Sequence, residues 1–307
     1  METLNEFLGN ITNGASGFSL GEPYRPRSDS IVAIVPITRQ IRRQRDYITL
    51  SEAGERVSIK DTGRIDEVIV TNNTEKPIFI PAAWMLSGET QTRIVTQGVV
   101  VLAGEAYKIS VACVQRSRGI SRDAILRTSG AAPRSVEQVI HQRRGQGNIQ
   151  DEVWDGVEKL REKLPPGDET DNLMDIHDRH KRAEETILRQ LPEVPDQVGF
   201  FILVQKGVSS LECFDLPDSW RAMGKSLIEK EIEAMEQKRD DFASIFPYKP
   251  QQAYSVLRAL LQRQFVVETV ISGPNWETTG ISAIDYAGEA TIMDGTIIHV
   301  SLGRKEY

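Results

Sequence analysis

The fold reading turns on Ile109-Ser110-Val111-Ala112-Cys113-Val114, which runs straight into Gln115-Arg116-Ser117-Arg118. Ile109, Val111 and Cys113 alternate with Ser110 and Ala112, the period of two that sets one face of a strand against a core. Upstream the chain repeats this grammar. Ile31-Val32-Ala33-Ile34-Val35 stops at Pro36, Val68-Ile69-Val70 stops at Asn72-Asn73, and Ile78-Phe79-Ile80 stops at Pro81. Ile94-Val95 leads through Gly98 into Val99-Val100-Val101-Leu102. Short strands cut by Gly, Asn and Pro turns predict an antiparallel sandwich or barrel-like unit over residues 31–114, not a run of βαβ repeats. Residues 1–30, rich in Gly, Asn, Ser and Pro, read as an irregular lead-in.

Downstream of Val114 the composition changes. Residues 115–147 carry seven arginines (Arg116, Arg118, Arg122, Arg127, Arg134, Arg143 and Arg144) against Asp123 and Glu137. With few large apolar residues, 115–149 reads as a basic arm or loop with one short helix over Val136 to Gln142. The remainder, 150–307, reads as an α+β unit packed on the first, or forming one composite domain with it. Helices are expected at 151–164, 169–191, 219–243 and 251–263, the third N-capped by Asp218. Strands are expected over 198–216, 265–271 and 290–302, the last a hairpin turned by Asp294-Gly295. The fold class is therefore α+β: an N-terminal antiparallel β sandwich or barrel-like unit, then helices and a smaller antiparallel sheet.

The chain has 307 residues, 37 Lys+Arg and 44 Asp+Glu, for a net charge of -7. That balance argues against a protein basic all over, such as a general nucleic-acid binder. It does not argue against anion recognition, because the positive charge is concentrated in 115–147. No stretch has the roughly 18 apolar residues of a membrane helix. The acidic start Met1-Glu2-Thr3-Leu4-Asn5-Glu6 lacks the order of a signal peptide, so the chain reads as cytoplasmic with no membrane partner. Cys113 and Cys213 are too few for a disulfide scaffold and read as buried thiols.

Chemistry-bearing motifs are sparse. His177 and His180 lie three apart near Asp175 and Asp178, but two ligands without a third and fourth make no metal site, and no metal is assigned. His299, alternating with apolar neighbours in Thr296-Ile297-Ile298-His299-Val300, is either a general base facing a pocket or a hydrogen-bonded structural histidine. There is no nucleophile elbow, phosphate loop, dinucleotide fingerprint or HExxH motif, so no cofactor is assigned and the question of an enzyme stays open. The alternation of Glu229, Glu231, Glu233 and Glu236 with Lys225, Lys230, Lys238 and Arg239 reads as a solvated helix face. Trp220 and Trp276 fall near element boundaries, as stacking platforms or as core.

The polar strand ends are the most informative part. Ser87-Gly88-Glu89-Thr90-Gln91-Thr92-Arg93 and Ser110 to Arg118 bring cationic and amide groups to the ends of apolar strands, where a rigid sheet presents groups to a ligand. Arg93, Arg116 and Arg118 are planar donors suited to phosphate or carboxylate, with Gln91 and Gln115 as neutral hydrogen-bonding groups. The alternative is that Glu89 pairs with an arginine and the cluster fixes a turn.

On these residues the chain resembles the domain family associated with ADP-ribosylglycohydrolases and rhodanese-like phosphatases. That family carries a Gly-x-Lys-Gln-x-Arg element and, about twenty residues on, Pro-Val-Ser-Cys-Val-Glu-x-Gly-Arg-Trp. Gly88, Gln91 and Arg93 match the first, with Thr90 in place of its lysine. Val111, Cys113, Val114 and Arg118 match the second, with Gln115, Ser117 and Gly119 in place of its glutamate, glycine and tryptophan. Gly199-Phe200, Phe214 before a helix, and the strand from Gly295 to His299 also look like family features, so the resemblance spans Ile31 to Leu302. It implies a place in NAD or ADP-ribose metabolism. The expected function is binding or processing of a phosphate-bearing, NAD- or ADP-ribose-like metabolite through Gln91, Arg93, Gln115, Arg116, Arg118 and His299. The alternative is a non-enzymatic homo-oligomer in which the basic arm 115–147 meets the acidic residues 151–193 of another copy. Nucleic acid is disfavoured as a partner, because the arm has no Phe, Tyr or Trp to stack bases.

Overall fold

The computed structural model describes residues 2–26, 32–88, 91–116, 119, 121–144, 149–163, 170–183, 185–204, 207–232 and 250–305. The class is mixed α+β, and the chain forms two compact units: unit 1 is Met1–Arg45 with Glu184–Tyr307, and unit 2 is Asp46–Ala183.

Unit 2 is built on a closed six-stranded barrel with the order β10-β5-β4-β11-β7-β8. Its strands are β4 (Val57–Arg64), β5 (Glu67–Asn72), β7 (Trp84–Gly88), β8 (Arg93–Val95), β10 (Ala106–Cys113) and β11 (Ile125–Ala131). Ile109, Val111 and Cys113 are all buried, as their alternation predicts. A smaller sheet joins β3 (Ile48–Thr49), β6 (Ile78–Ile80) and β9 (Val99–Val101), with β3 and β6 parallel. A short helix, α2 (Leu50–Ala53), follows β3. Barrel residues Ala83, Met85, Ile94, Ala112 and Val114 form a core with α3 (Arg134–Arg143), α4 (Ile149–Arg161) and α5 (Leu173–Ala183), through Val136, Ile140, Val153, Leu160 and Ile176. Where a loop is expected between residues 115 and 149, β11 closes the barrel between β4 and β7. Ile125 is exposed and Leu126 buried, so this strand offers little apolar signal of its own. Closure needs Gly88, because a Cβ there would lie 2.1 Å from the Ile125 carbonyl oxygen.

Unit 1 is an eight-stranded sheet of order β1-β2-β12-β13-β17-β16-β15-β14. These are β1 (Phe18–Leu20), β2 (Val32–Arg39), β12 (Gln197–Val204), β13 (Gly207–Phe214), β14 (Val266–Ser272), β15 (Trp276–Ser282), β16 (Tyr286–Met293) and β17 (Thr296–Arg304). One face packs on α1 (Leu4–Asn13) and α8 (Pro250–Leu261): Phe7, Leu8, Ile11 and Leu257 meet Val35, Phe201, Leu211 and Val300. Within the expected lead-in, α1 is therefore a real helix. Thr3 Oγ1 accepts from the Glu6 amide at 3.2 Å while Glu6 Oε2 accepts from the Thr3 amide at 2.8 Å, a reciprocal N-cap. Leu4, Phe7, Leu8 and Ile11 form its buried stripe. The β16–β17 turn has Asp294 and Gly295 both at positive φ (49° and 75°), the geometry expected of that pair in a two-residue hairpin. The remaining helices are α6 (Glu185–Arg189) and α7 (Pro217–Glu229), the latter packing on β12 and β13. The part of the expected 219–243 helix beyond Ile232 lies outside the described residues.

Candidate functional site at the end of the barrel

In unit 2, Arg93 on β8 stands directly across from Cys113 on β10, so both side chains project to the same side of the barrel wall. Arg93 and Asp61 of β4 are both wholly buried, and Arg93 Nη2 donates to Asp61 Oδ2 at 3.1 Å. A second Arg93 nitrogen, Nη1, donates to Gln91 Oε1. The other Asp61 oxygen accepts from the Gly63 amide at 2.9 Å. A buried guanidinium is tolerated only when its charge and donors are matched, and here one carboxylate and one amide do most of that. Paired with Asp61, Arg93 offers no net charge to an anion.

On its other edge, beyond the point where β5 stops pairing with β10 at Ser110, Cys113 meets α4. The Gln150 side chain accepts from the Cys113 amide and donates to the Cys113 carbonyl, both at 2.7 Å, replacing the missing ladder bonds. The thiol donates to the Gln115 carbonyl at 3.0 Å. Burial raises the Cys113 pKa, opposed by the Gln115 backbone bond, the Arg93 charge and the Trp154 side chain. The net direction is upward, so Cys113 is a protonated thiol at neutral pH and not an activated nucleophile.

Arg116, exposed just beyond the strand, lays its guanidinium over Trp154 of α4, 4.6 Å from the ring centroid. Gln115 bridges to Asn172 through its backbone, while its buried Oε1 has no hydrogen-bond partner among the described residues. Gln91, Arg93, Gln115 and Arg116 thus come together at one end of the barrel, with Asp61, Cys113, Gln150 and Trp154. A cavity of about 440 Å³ lies alongside, lined by Arg64, Ile65, Asp66, Val111, Ile149 and Gln150. Arg118 and Glu89 lie outside the described residues.

His299 belongs to unit 1 and sits in a different buried network. Glu212 on β13 is its hub: Oε2 accepts from His299 Nε2 at 2.9 Å, and Oε1 accepts from Ser301 Oγ at 2.7 Å and pairs with Lys230 Nζ at 2.5 Å. Ser301 lies directly across from both Glu212 and Glu289, and Thr291 directly across from His299. The face of the sheet on which these five side chains lie is therefore polar, and all five are buried. His299 also packs on Phe214, ring centroids 4.6 Å apart. With Nε2 donating to the carboxylate, the imidazole is held in one orientation.

Lys230 and Glu231, expected on a solvated helix face, are both buried, because α7 ends at Glu229 and the chain then turns inward. Lys225 and Glu229 do form an i,i+4 pair, at 3.9 Å. His177 is buried and its pKa is pushed down to about 3 by desolvation, with the Lys181 charge adding to the effect. Among the described residues no group of three or more His, Cys, Asp or Glu is placed to hold a metal.

Sequence reasoning missed Asp61, Gln150, Trp154, Glu212, Lys230 and Ser301. A signal existed for Glu212, a lone acid inside the apolar run Leu211-Glu212-Cys213-Phe214. None existed for Asp61, whose partner is 32 residues away on a strand that is not its neighbour in the barrel.

The family model described as the ARG and Rhodanese-Phosphatase-superfamily-associated Protein domain matches residues 19–303, and the chain belongs to that family. No curated protein matches the chain, and no solved structure does.

Proposed function

We propose, from membership of that family as a premise, that the domain binds a phosphate-bearing, NAD- or ADP-ribose-like metabolite at the end of the unit 2 barrel. One observation supports this above the rest: Gln91 and Arg93 lie across from Cys113 at the strand end that continues into Gln115 and Arg116, the last stacked on Trp154. Each has a distinct task in this reading. Arg116 is the exposed guanidinium that meets a phosphate, where charge-assisted bonds are strongest. The half-buried Gln115 offers its side-chain amide to a ribose hydroxyl, and the Trp154 indole presents a face to a ring. Arg93, its charge offset by Asp61, positions Gln91.

Calorimetric titration with ADP-ribose and with NAD tests the reading. Binding is expected for at least one of them, and Arg116→Ala is expected to weaken it about tenfold, the worth of a charge-assisted hydrogen bond. No heat at millimolar ligand overturns the function. Unchanged affinity in Arg116→Ala overturns the site.

A further inference from the structure

Unit 1 contains a cavity of about 670 Å³ between residues 188–197 and the outer side of α7. Its volume falls within the range of small-molecule pockets. Trp220, Gly224 and Ile228 recur every four residues along α7 and form one wall, with Leu188, Leu191 and Val194 among the residues facing them. The Trp220 indole lies against the helix at Gly224, where an added Cβ would come within 2.5–2.8 Å of three ring atoms. Phe200 meets the same ring edge-on, centroids 5.7 Å apart. Held from two directions yet only half-buried, the indole is a pre-set platform with little rotamer freedom left to lose on binding.

The rim selects the ligand's charge. Arg221 and Lys225 line the cavity, but Arg221 is paired with Asp218 and Lys225 with Glu229. Glu193 and Asp196 add carboxylates from the other side. An anionic group entering here meets no surplus of positive charge and would lose hydration without compensation.

We propose that this cavity is a binding site for a planar aromatic ring carrying no anionic group, stacked on Trp220. It is independent of the barrel-end site, which is in unit 2 and takes an anion.

Two dyes with the same arylaminonaphthalene core separate the possibilities: N-phenyl-1-naphthylamine is neutral, and 8-anilino-1-naphthalenesulfonate is anionic. In fluorescence titrations of the full chain, the neutral dye is expected to bind one per chain, at least tenfold more tightly than the sulfonate. Trp220→Ala removes the platform, and Leu191→Arg charges the facing wall without touching α7. Each is expected to weaken the neutral dye at least tenfold. Circular dichroism accompanies both variants, and Leu191→Arg carries the test if Trp220→Ala does not fold. No binding of the neutral dye, equal or tighter binding of the sulfonate, or unchanged affinity in the folded variants overturns the proposal.

Discussion

The Arg93–Asp61 pair and the Glu212 cluster both bury their charged groups completely, and they are built on different plans. In the barrel of unit 2, Arg93 meets Asp61 one to one, with Gln91 and the Gly63 amide taking further bonds. On the sheet of unit 1, Glu212 is a hub that serves Lys230, His299 and Ser301 through both of its oxygens. Desolvation is costly in both cases, and the Coulombic gain repays it only when each donor and lone pair is matched. A one-to-one pair can in principle be exchanged for two apolar side chains. A hub is harder to exchange, because its removal takes one carboxylate from a buried ammonium and two further donors at once. The difference separates a replaceable strut from a network that ties two strands to the end of a helix.

The largest expected effect tests the hub. Glu212→Leu should destabilise the protein by about 3–5 kcal/mol, the cost of removing one partner of a buried ion pair. Urea unfolding measures it, and a loss below about 1 kcal/mol would remove the distinction between the two sites. The pair comes next. Arg93→Met alone should cost about 3 kcal/mol, while Asp61→Leu added to it should restore most of that loss, since replacing both partners of a buried pair is often nearly neutral. A double variant as unstable as the single one would show that Arg93 and Asp61 do not act as an isolated pair.

The smallest effect concerns a buried group whose desolvation outweighs the nearby Asp178 carboxylate. His177 has its folded pKa pushed down to about 3 by desolvation, far below an ordinary histidine. Its neutral form therefore contributes stability that is fully present above the unfolded pKa of about 6.5 and is lost as pH falls toward 3. Between pH 6.5 and 5 this amounts to roughly 1–2 kcal/mol. His177→Gln should flatten that limb of the stability–pH curve, and a curve of unchanged slope would assign the acid loss to other groups.

Much of the fold was legible because its signals are local. The alternation of Ile109, Val111 and Cys113 and the pair Asp294-Gly295 each specify a conformation within a few residues. Helix α1 was missed for a different reason: the glycines and asparagines of 1–30 hid Leu4, Phe7, Leu8 and Ile11, whose spacing is helical. Strand β11 had no such pattern to find. Its place is decided by β4 and β7, which close around it. The barrel-end site was half legible. Gln91, Arg93, Gln115 and Arg116 announce themselves as polar groups at the ends of apolar strands. Gln150 and Trp154 sit on a helix whose acidic residues point, in the sequence, only to a contact with the basic arm of another copy.

By itself the sequence determined the α+β class, the run of short antiparallel strands, and which polar residues end them. All of these follow from side-chain periodicity and turn chemistry over ten residues or fewer. Only the tertiary structure decided which charges are neutralised. Arg93 loses its net charge to Asp61, Lys230 turns inward to Glu212, and Arg116 remains outside over Trp154. Coulombic pairing depends on distance in space and on the water excluded around it, and neither is encoded at any fixed separation along the chain.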